Sequence, residues 1–293
     1  TYRVTMILDI PEGLNGQKRS DTKIKTELTT EITVRKNAKR IDFKTGFKNR
    51  SKDHMLVVDF PTGIQTEAAD WEAPFEIRKR DVDHFTNDNG VKGPELERQA
   101  MQNFVNISGD RGAFALFSKG IKEVGTKNED GAVITLTLFR AASGRFPIHN
   151  DLFVGFDKET SQCIGDFEFE YAVLIHNNED LIAESRKYIS PMLSAQTGVS
   201  GGGVLGSQYA FMKHTHKDLC LSAINVNQDG SIILRVYNPT GTELADCIVF
   251  EKTIQSVQEV KLDETNIRSI EINNNSIQLS VKPYTIMTLR IDL

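Results

Sequence analysis

The chain opens on an alternation. Tyr2, Val4, Met6, Leu8 and Ile10 fall on one parity, interleaved mainly with polar residues. A period of two over that length predicts a half-buried strand. Ile24, Leu28, Ile32 and Val34 repeat the pattern, with Thr26 and Thr30 completing the stripe. Ile41, Phe43, Thr45 and Phe47 follow it. Met55 to Phe60 is an apolar stretch interrupted only by Asp59 and closed by Pro61, which predicts a buried strand. Ile134, Leu136 and Leu138 alternate with threonines. Phe167, Phe169, Tyr171, Val173 and Ile175 make an aromatic stripe opposed by Glu168 and Glu170. So many alternating segments predict an all-β protein of antiparallel sheets, each with one wet face.

Turn residues divide the strands. Asp130-Gly131 and Asp229-Gly230 are hairpin dipeptides, because they accept the positive φ angles of a tight primed turn. Asn87–Gly90 reads as a longer loop, and Asn273–Asn275 separates two late strands. One helix is predicted over Glu179–Tyr188, capped by Asn178 and stopped by Pro191. Pro94–Gln99 is a second, shorter helical candidate. The glycine-rich run Thr197–Gly206 has the composition of a flexible connection. Short, evenly spaced strands follow it, as in a small β-sandwich. The chain therefore divides near residue 210, into a large β domain over 1–210 and a small one over 211–293.

Composition narrows the class. With 39% hydrophobic and 26% charged residues in a length of 293, the chain has enough apolar material for a packed core. A net charge of -5 argues against a nucleic-acid partner, which selects a basic surface. No apolar run reaches the roughly 18 residues of a membrane span, and no signal peptide opens the chain. Cys163, Cys220 and Cys247 are three, scattered and outside any C-x-x-C pair, so they read as reduced thiols in a cytoplasmic protein. A first residue of Thr1, already in mid-strand, suggests part of a longer polypeptide.

Several constellations could carry chemistry. His214 and His216 stand two apart, so on a strand both imidazoles would face one way, with Cys220 nearby. Zinc needs three or four ligands, and structural histidines are the competing reading. Asp166, Glu168 and Glu170 share a strand face, either as an acid pair for glycosyl chemistry or as a solvated face. Trp71, the single tryptophan, falls in an irregular stretch over Gly63–Pro74. Its ring is either a sugar-stacking platform or part of a core. The glycine run lacks the Gly-Lys-Ser/Thr of a phosphate loop, and no serine-nucleophile elbow is present. The residues alone describe a two-domain β protein without a self-contained active site.

Eight segments together resemble the C-terminal half of glycoside hydrolase family 38, the α-mannosidases, and most of all the bacterial α-mannosidase and mannosylglycerate hydrolase type. They are Glu31–Lys36, Asn49–Pro61, Ala73–Arg80, Gln102–Ser108, Ile134–Arg140, Phe167–His176, Leu221–Ile224 and Leu234–Pro239. The resemblance implies a galactose mutarotase-like supersandwich followed by a small β-sandwich. It also implies an N-terminal α/β barrel and helical bundle that would precede this chain. In the family that barrel binds zinc through two His and two Asp and carries the carboxylate nucleophile of a retaining mechanism. None of those motifs occurs here, so zinc is expected in the missing catalytic domain and none in this chain, which alone should be inactive. Partners implied are the N-terminal barrel of the same polypeptide, a mannoside substrate and, as a further reading, a second copy in a homodimer. In the family an arginine of the supersandwich reaches the sugar pocket, which makes Arg140 the candidate and Arg145 a second choice. Local ion pairing is the other reading of Arg140. A freestanding sugar epimerase built on His176 and Glu170, and a carbohydrate-binding module, are the alternative functions.

Overall fold

In the computed structural model the alternating segments form four principal sheets. The structure describes residues 1–16, 18–82, 98–142, 160–198, 201–203 and 206–293. The Asn87–Gly90 loop, Arg145 and most of the Pro94–Gln99 candidate lie outside the described residues. Contacts divide the chain into two units. One holds Thr1–Trp71 and Lys79–Ile189, and the other holds Glu72–Arg78 and Ser190–Leu293. The division falls at Ile189, ahead of the glycine run.

The strands of the first part are β1 (Tyr2–Pro11), β2 (Leu14–Asn15), β3 (Lys18–Arg19), β4 (Lys23–Val34) and β5 (Arg40–Asn49). Next come β6 (Met55–Pro61), β7 (Ala68–Ala73), β8 (Glu76–Asp81), β9 (Arg98–Ala100) and β10 (Phe104–Gly109). They are followed by β11 (Gly112–Lys119), β12 (Glu123–Glu129), β13 (Gly131–Arg140) and β14 (Gly165–His176). An eight-stranded antiparallel sheet has the order β1-β4-β5-β14-β11-β10-β7-β8, and a four-stranded sheet the order β6-β13-β12-β9. Inward side chains of both sheets, among them Leu28, Phe47, Ile134, Leu136 and Tyr171, form one core.

Cross-strand register explains the threonines in the apolar stripes. Thr30, Thr45 and Phe169 lie in one row across β4, β5 and β14. The Thr45 and Tyr171 hydroxyls are 2.8 Å apart, and Thr30 and Thr45 are 3.0 Å apart. The buried hydroxyls thus satisfy one another, as burial requires. On β13 both parities are buried, and the Thr135 hydroxyl is satisfied there by donating to Asp59 Oδ1 at 2.7 Å. The Met55–Phe60 run is not buried on both faces. It becomes β6, an edge strand paired to β13 and half exposed. Pro61 ends it where a missing N–H costs little.

Helix α1 (Leu181–Ile189) is the one α-helix among the described residues. Its cap is Asp180 rather than Asn178: the Ala183 N–H donates to Asp180 Oδ1 at 3.0 Å. The helix places Tyr188 6.4 Å from the Phe117 ring, and Phe117 sits opposite Ala172 in the ladder. That cover explains why Ala172 and Leu174, on the parity expected to be wet, are buried. No helix among the described residues is long and apolar enough to cross a membrane.

The second unit contains β15 (Met212–His214), β16 (Cys220–Val226), β17 (Ile232–Tyr237), β18 (Leu244–Phe250) and β19 (Ser256–Val260). It closes with β20 (Asn266–Ser269), β21 (Ile272–Asn273), β22 (Ser276–Val281) and β23 (Ile286–Asp292). Sheets ordered β15-β18-β22-β21 and β16-β17-β23-β19-β20 enclose a core that includes Leu234, Ile248, Ile277 and Leu289. Buried Asn238 donates to the carbonyls of Thr242, Val281 and Lys282 at 2.7, 3.0 and 3.1 Å. The segment Glu72–Arg78 belongs to this unit through the Phe75 ring, edge-on to Tyr237 at 5.3 Å, and the Ile77 N–H, which donates to the Pro239 carbonyl at 3.0 Å.

Candidate functional site

Arg140 ends β13, opposite Met55 of β6. Its guanidinium is half-exposed and donates from Nη2 to Glu123 Oε1 at 2.8 Å. The same nitrogen lies 3.7 Å from Met55 Sδ. A buried polar network holds the adjoining backbone. Ala141 donates its N–H to the His54 carbonyl at 2.8 Å. Asn49 donates to the carbonyls of Gln162 and Cys163 at 3.1 and 2.9 Å, and its Oδ1 accepts the Ser51 N–H at 3.1 Å. Gln162 and Asp53 bond twice, at 2.7 and 2.9 Å. The His54 ring packs edge-on to Phe139 at 5.0 Å, and burial, aided by the Arg19 charge, pushes its pKa below the ordinary imidazole value. A neutral imidazole is what that apolar contact favours. The network fixes the end of β13, so the position of the Arg140 backbone is set by groups the sequence scatters over more than a hundred residues. The Asn49–Pro61 segment carried that signal only as part of the family resemblance.

The other nominated residues do not converge on this place. Trp71 is on strand β7, not in an irregular stretch, and it is fully buried. The Arg80 guanidinium lies 5.4 Å from the centre of its ring. A wholly buried ring offers no face to a sugar.

Asp166, Glu168 and Glu170 do share the outer face of β14, and each meets a cation. Arg50 lies 3.2 Å from Asp166, Lys44 2.9 Å from Glu168 and Lys119 2.6 Å from Glu170. The hydrogen bond from Lys119 holds Glu170 below the usual carboxylate range. This is a solvated, ion-paired face rather than an acid–nucleophile pair. His176 and Glu170 stand six residues apart on one strand, about 20 Å at roughly 3.3 Å per residue. The His176 Nδ1 accepts the Glu179 N–H at 3.2 Å, so its Nε2 carries the proton toward Asn106 Oδ1 at 3.0 Å. The pair cannot flank one substrate as the epimerase reading requires.

His214 and His216 also separate. His214 Nδ1 lies 3.4 Å from Oδ2 of buried Asp246, while Asp246 Oδ1 accepts from Thr215 N, Thr215 Oγ1, His216 N and Cys247 N. His216 uses Nδ1 to accept the Asp218 N–H at 3.2 Å. Cys220 is buried in β16, in the other sheet. Among the described residues no three His, Cys, Asp or Glu side chains gather to hold a metal.

One cleft lies away from the candidate site residues named so far. It has a volume of about 450 Å³ and is lined by Gly63, Ile64, Gln65, Asp110, Arg111 and Asp130. The tips of the β10–β11 and β12–β13 hairpins and the β6–β7 connection make it. Gly131 has φ +98°, and a Cβ there would lie 2.8 Å from the Gly63 carbonyl carbon. The cleft offers two carboxylates and a guanidinium, all exposed.

The family described as the glycosyl hydrolases family 38 C-terminal domain matches residues 8–144. The family 38 C-terminal beta sandwich domain matches residues 218–289. Together they take in well over half of the chain, one in each unit. The chain belongs to glycosyl hydrolase family 38, as a C-terminal region of its members. A relative in Halalkalibacterium halodurans, provisionally named a mannosylglycerate hydrolase, is 24% identical over 289 residues, which are 96% of this chain and 30% of that protein. The crystal structure of an alpha-mannosidase from Enterococcus faecalis superposes with a TM-score of 0.82 at 22% identity, over 99% of this chain and 33% of that one. A second family 38 protein from the same organism gives 0.80 at 21% identity, covering 35% of its chain. The fold is shared with both, and this chain spans about a third of the length of each.

Proposed function

We propose that this chain is the non-catalytic β region of an α-mannosidase-type glycoside hydrolase. The observation that carries the reading is the pair of family matches, both to C-terminal domains, in a chain covering about a third of relatives that are glycoside hydrolases. Hydrolysis with retention at a zinc-bearing N-terminal barrel is the chemistry of the longer protein, and an α-mannoside is its substrate. Such a barrel would be the principal partner of this chain. The role of the β region is to hold and shape the sugar pocket. Arg140 is the group that would reach it, because a guanidinium donates in a rigid fork to sugar hydroxyls or to a charged aglycone. The boundary proposed for the two β domains remains near residue 210, and the cytoplasm is the proposed compartment.

The test compares the 293-residue chain with a polypeptide extended N-terminally to the length of its relatives. Cleavage of an aryl α-mannoside by the long form alone, abolished by a zinc chelator, is the expected result. Turnover by the short chain would overturn the assignment.

A further inference from the structure

The cleft at the start of β13 is walled by backbone. Its three connections, β6–β7, β10–β11 and β12–β13, all belong to the first unit and pack directly on one another. A Cβ at Gly109 would lie 2.7 Å from Ile64 Cγ2, just as one at Gly131 would meet the Gly63 carbonyl carbon. Hydrogen bonds lock the same contact. Ala132 donates its N–H to the Ile64 carbonyl at 2.8 Å. The Ala132 carbonyl accepts the Thr62 N–H at 3.1 Å and the Thr62 hydroxyl at 2.6 Å. The walls are fixed in advance, so a ligand need not order them.

The polar side chains above those walls are unengaged. Among the described residues no hydrogen bond or ion pair involves the side chains of Gln65, Asp110, Arg111 or Asp130. Acids elsewhere on the surface do find cations, as Asp166, Glu168 and Glu170 show. Arg111 shares the cleft with two carboxylates and bridges to neither. The chemistry of the set selects its ligand. Carboxylates accept, a guanidinium donates, and the Gln65 amide does both. An anion would face two carboxylates, and a cation would face the guanidinium. A neutral molecule with donors and acceptors on adjacent atoms suits all four groups, and a ring of vicinal hydroxyls is such a molecule. Ile64 adds an apolar surface for its C–H face. The volume of about 450 Å³ falls in the range of roughly 300–1,000 Å³ of small-molecule sites and admits a mono- or disaccharide.

β13 is ten residues long, so Gly131 and Arg140, at its two ends, stand about 30 Å apart at roughly 3.3 Å per residue. One small saccharide cannot touch both. We propose that this cleft is a sugar-binding site, which holds a neutral saccharide through Asp110, Asp130, Arg111 and Gln65 at the end of β13 remote from Arg140. No bond is made or broken there; the site retains a glycan on the protein. The choice of a mannoside as first probe rests on the function proposed above, but the site itself does not.

The test follows backbone amide shifts of the isotopically labelled 293-residue chain during titration with methyl α-mannoside. Saturation in the millimolar range is expected, with the largest shifts at Gln65, Asp110, Arg111 and Gly131. Arg111→Ala and Asp130→Asn should each weaken binding at least fivefold. Both positions are exposed, and Asn-Gly keeps the turn that Asp-Gly makes. Unchanged unfolding midpoints would show that the loss is one of binding. Methyl α-glucoside and methyl β-galactoside are titrated in parallel, and saturation by any of the three that both variants weaken supports the site. Shifts that do not saturate, that fall away from the cleft or that both variants leave unchanged overturn it. So does a response of the same amides to calcium chloride and to none of the sugars, which would make the carboxylates a cation site. Turnover by the N-terminally extended polypeptide decides the mannosidase reading separately, so either can fail without the other.

Discussion

His54 donates its Nε2–H to Asn49 Oδ1 across 2.9 Å, inside a buried knot that ties β5 to β6. The direction follows from Asn49, whose amide nitrogen is spent on two carbonyls, leaving only its oxygen for the ring. The imidazole is neutral there, because burial pushes its pKa down. His176 is shifted in the same direction by burial.

This gives a pH dependence with a definite sign. Unfolding returns His54 to an ordinary value near 6.5. Between that value and the lower folded one, the unfolded chain holds more protons, so stability rises with pH. The contribution is complete above about pH 6.5 and is lost as pH falls toward the folded value. The slope is at most about 1.4 kcal/mol per pH unit per proton. Urea midpoints measured between pH 7.5 and 5.5 should fall with acidity, and His54→Gln, which keeps a donor to Asn49, should flatten the fall. An unchanged slope in that variant would remove His54 as its source.

Asp246 predicts a larger effect in the second unit. One of its oxygens gathers three backbone N–H groups and the Thr215 hydroxyl, all within 2.8 Å. Asp246→Ala leaves those donors without the acceptor, at roughly 1–3 kcal/mol for each buried group left unsatisfied. A loss of at least about 3 kcal/mol is expected by chemical denaturation, with Asp246→Asn milder because it keeps an oxygen. Equal losses in the two variants would show that the charge, rather than the acceptor, is what the fold requires.

Two glycines separate backbone strain from close packing. Gly230 has φ +86° and open space around a would-be Cβ; Gly131 has φ +98° and the Gly63 backbone 2.8 Å from it. Gly230→Ala should cost about 1 kcal/mol, from conformation alone. Gly131→Ala must also move the Gly63–Ile64 segment, so its loss should exceed that by at least about 1 kcal/mol. Thermal unfolding of the pair side by side checks this, and equal losses would mean that the segment moves freely.

The sequence carried the parts of this fold that repeat locally. The stripes Ile41–Phe47 and Phe167–Val173 were legible because one face of a sheet writes a period of two. Ile232–Tyr237 was legible because an Asp-Gly turn precedes it. What needed a distant partner was not. Ala172 and Leu174 looked wet until α1 covered them. Trp71 looked like a loop residue because Gly63 and Pro74 bound a stretch without alternation, whereas pairing with Val105 makes it a strand. The metal-like spacing of His214 and His216 was real, but Asp246 and the Asp218 N–H engage the two residues differently. The candidate site suffered most. Arg140 emerged by family resemblance, and the network around Asn49, His54 and Gln162 exists only once three remote segments meet.

That network makes Arg140 a sharp test. Its guanidinium sits on a backbone held by buried hydrogen bonds, and its visible protein partner is one half-exposed carboxylate, Glu123. An exposed ion pair contributes only about 0–1 kcal/mol, so Arg140→Ala should scarcely change the melting temperature. In the N-terminally extended enzyme the same substitution should lower kcat/KM at least tenfold, about 1.4 kcal/mol of transition-state stabilisation. Glu123→Gln supplies the control, since it removes the ion pair and leaves the guanidinium. If Arg140 serves the sugar pocket, the alanine variant loses activity and the glutamine variant retains most of it. If both variants keep full kcat/KM, Arg140 is only a surface ion pair at the end of β13, and the pocket is completed by another residue.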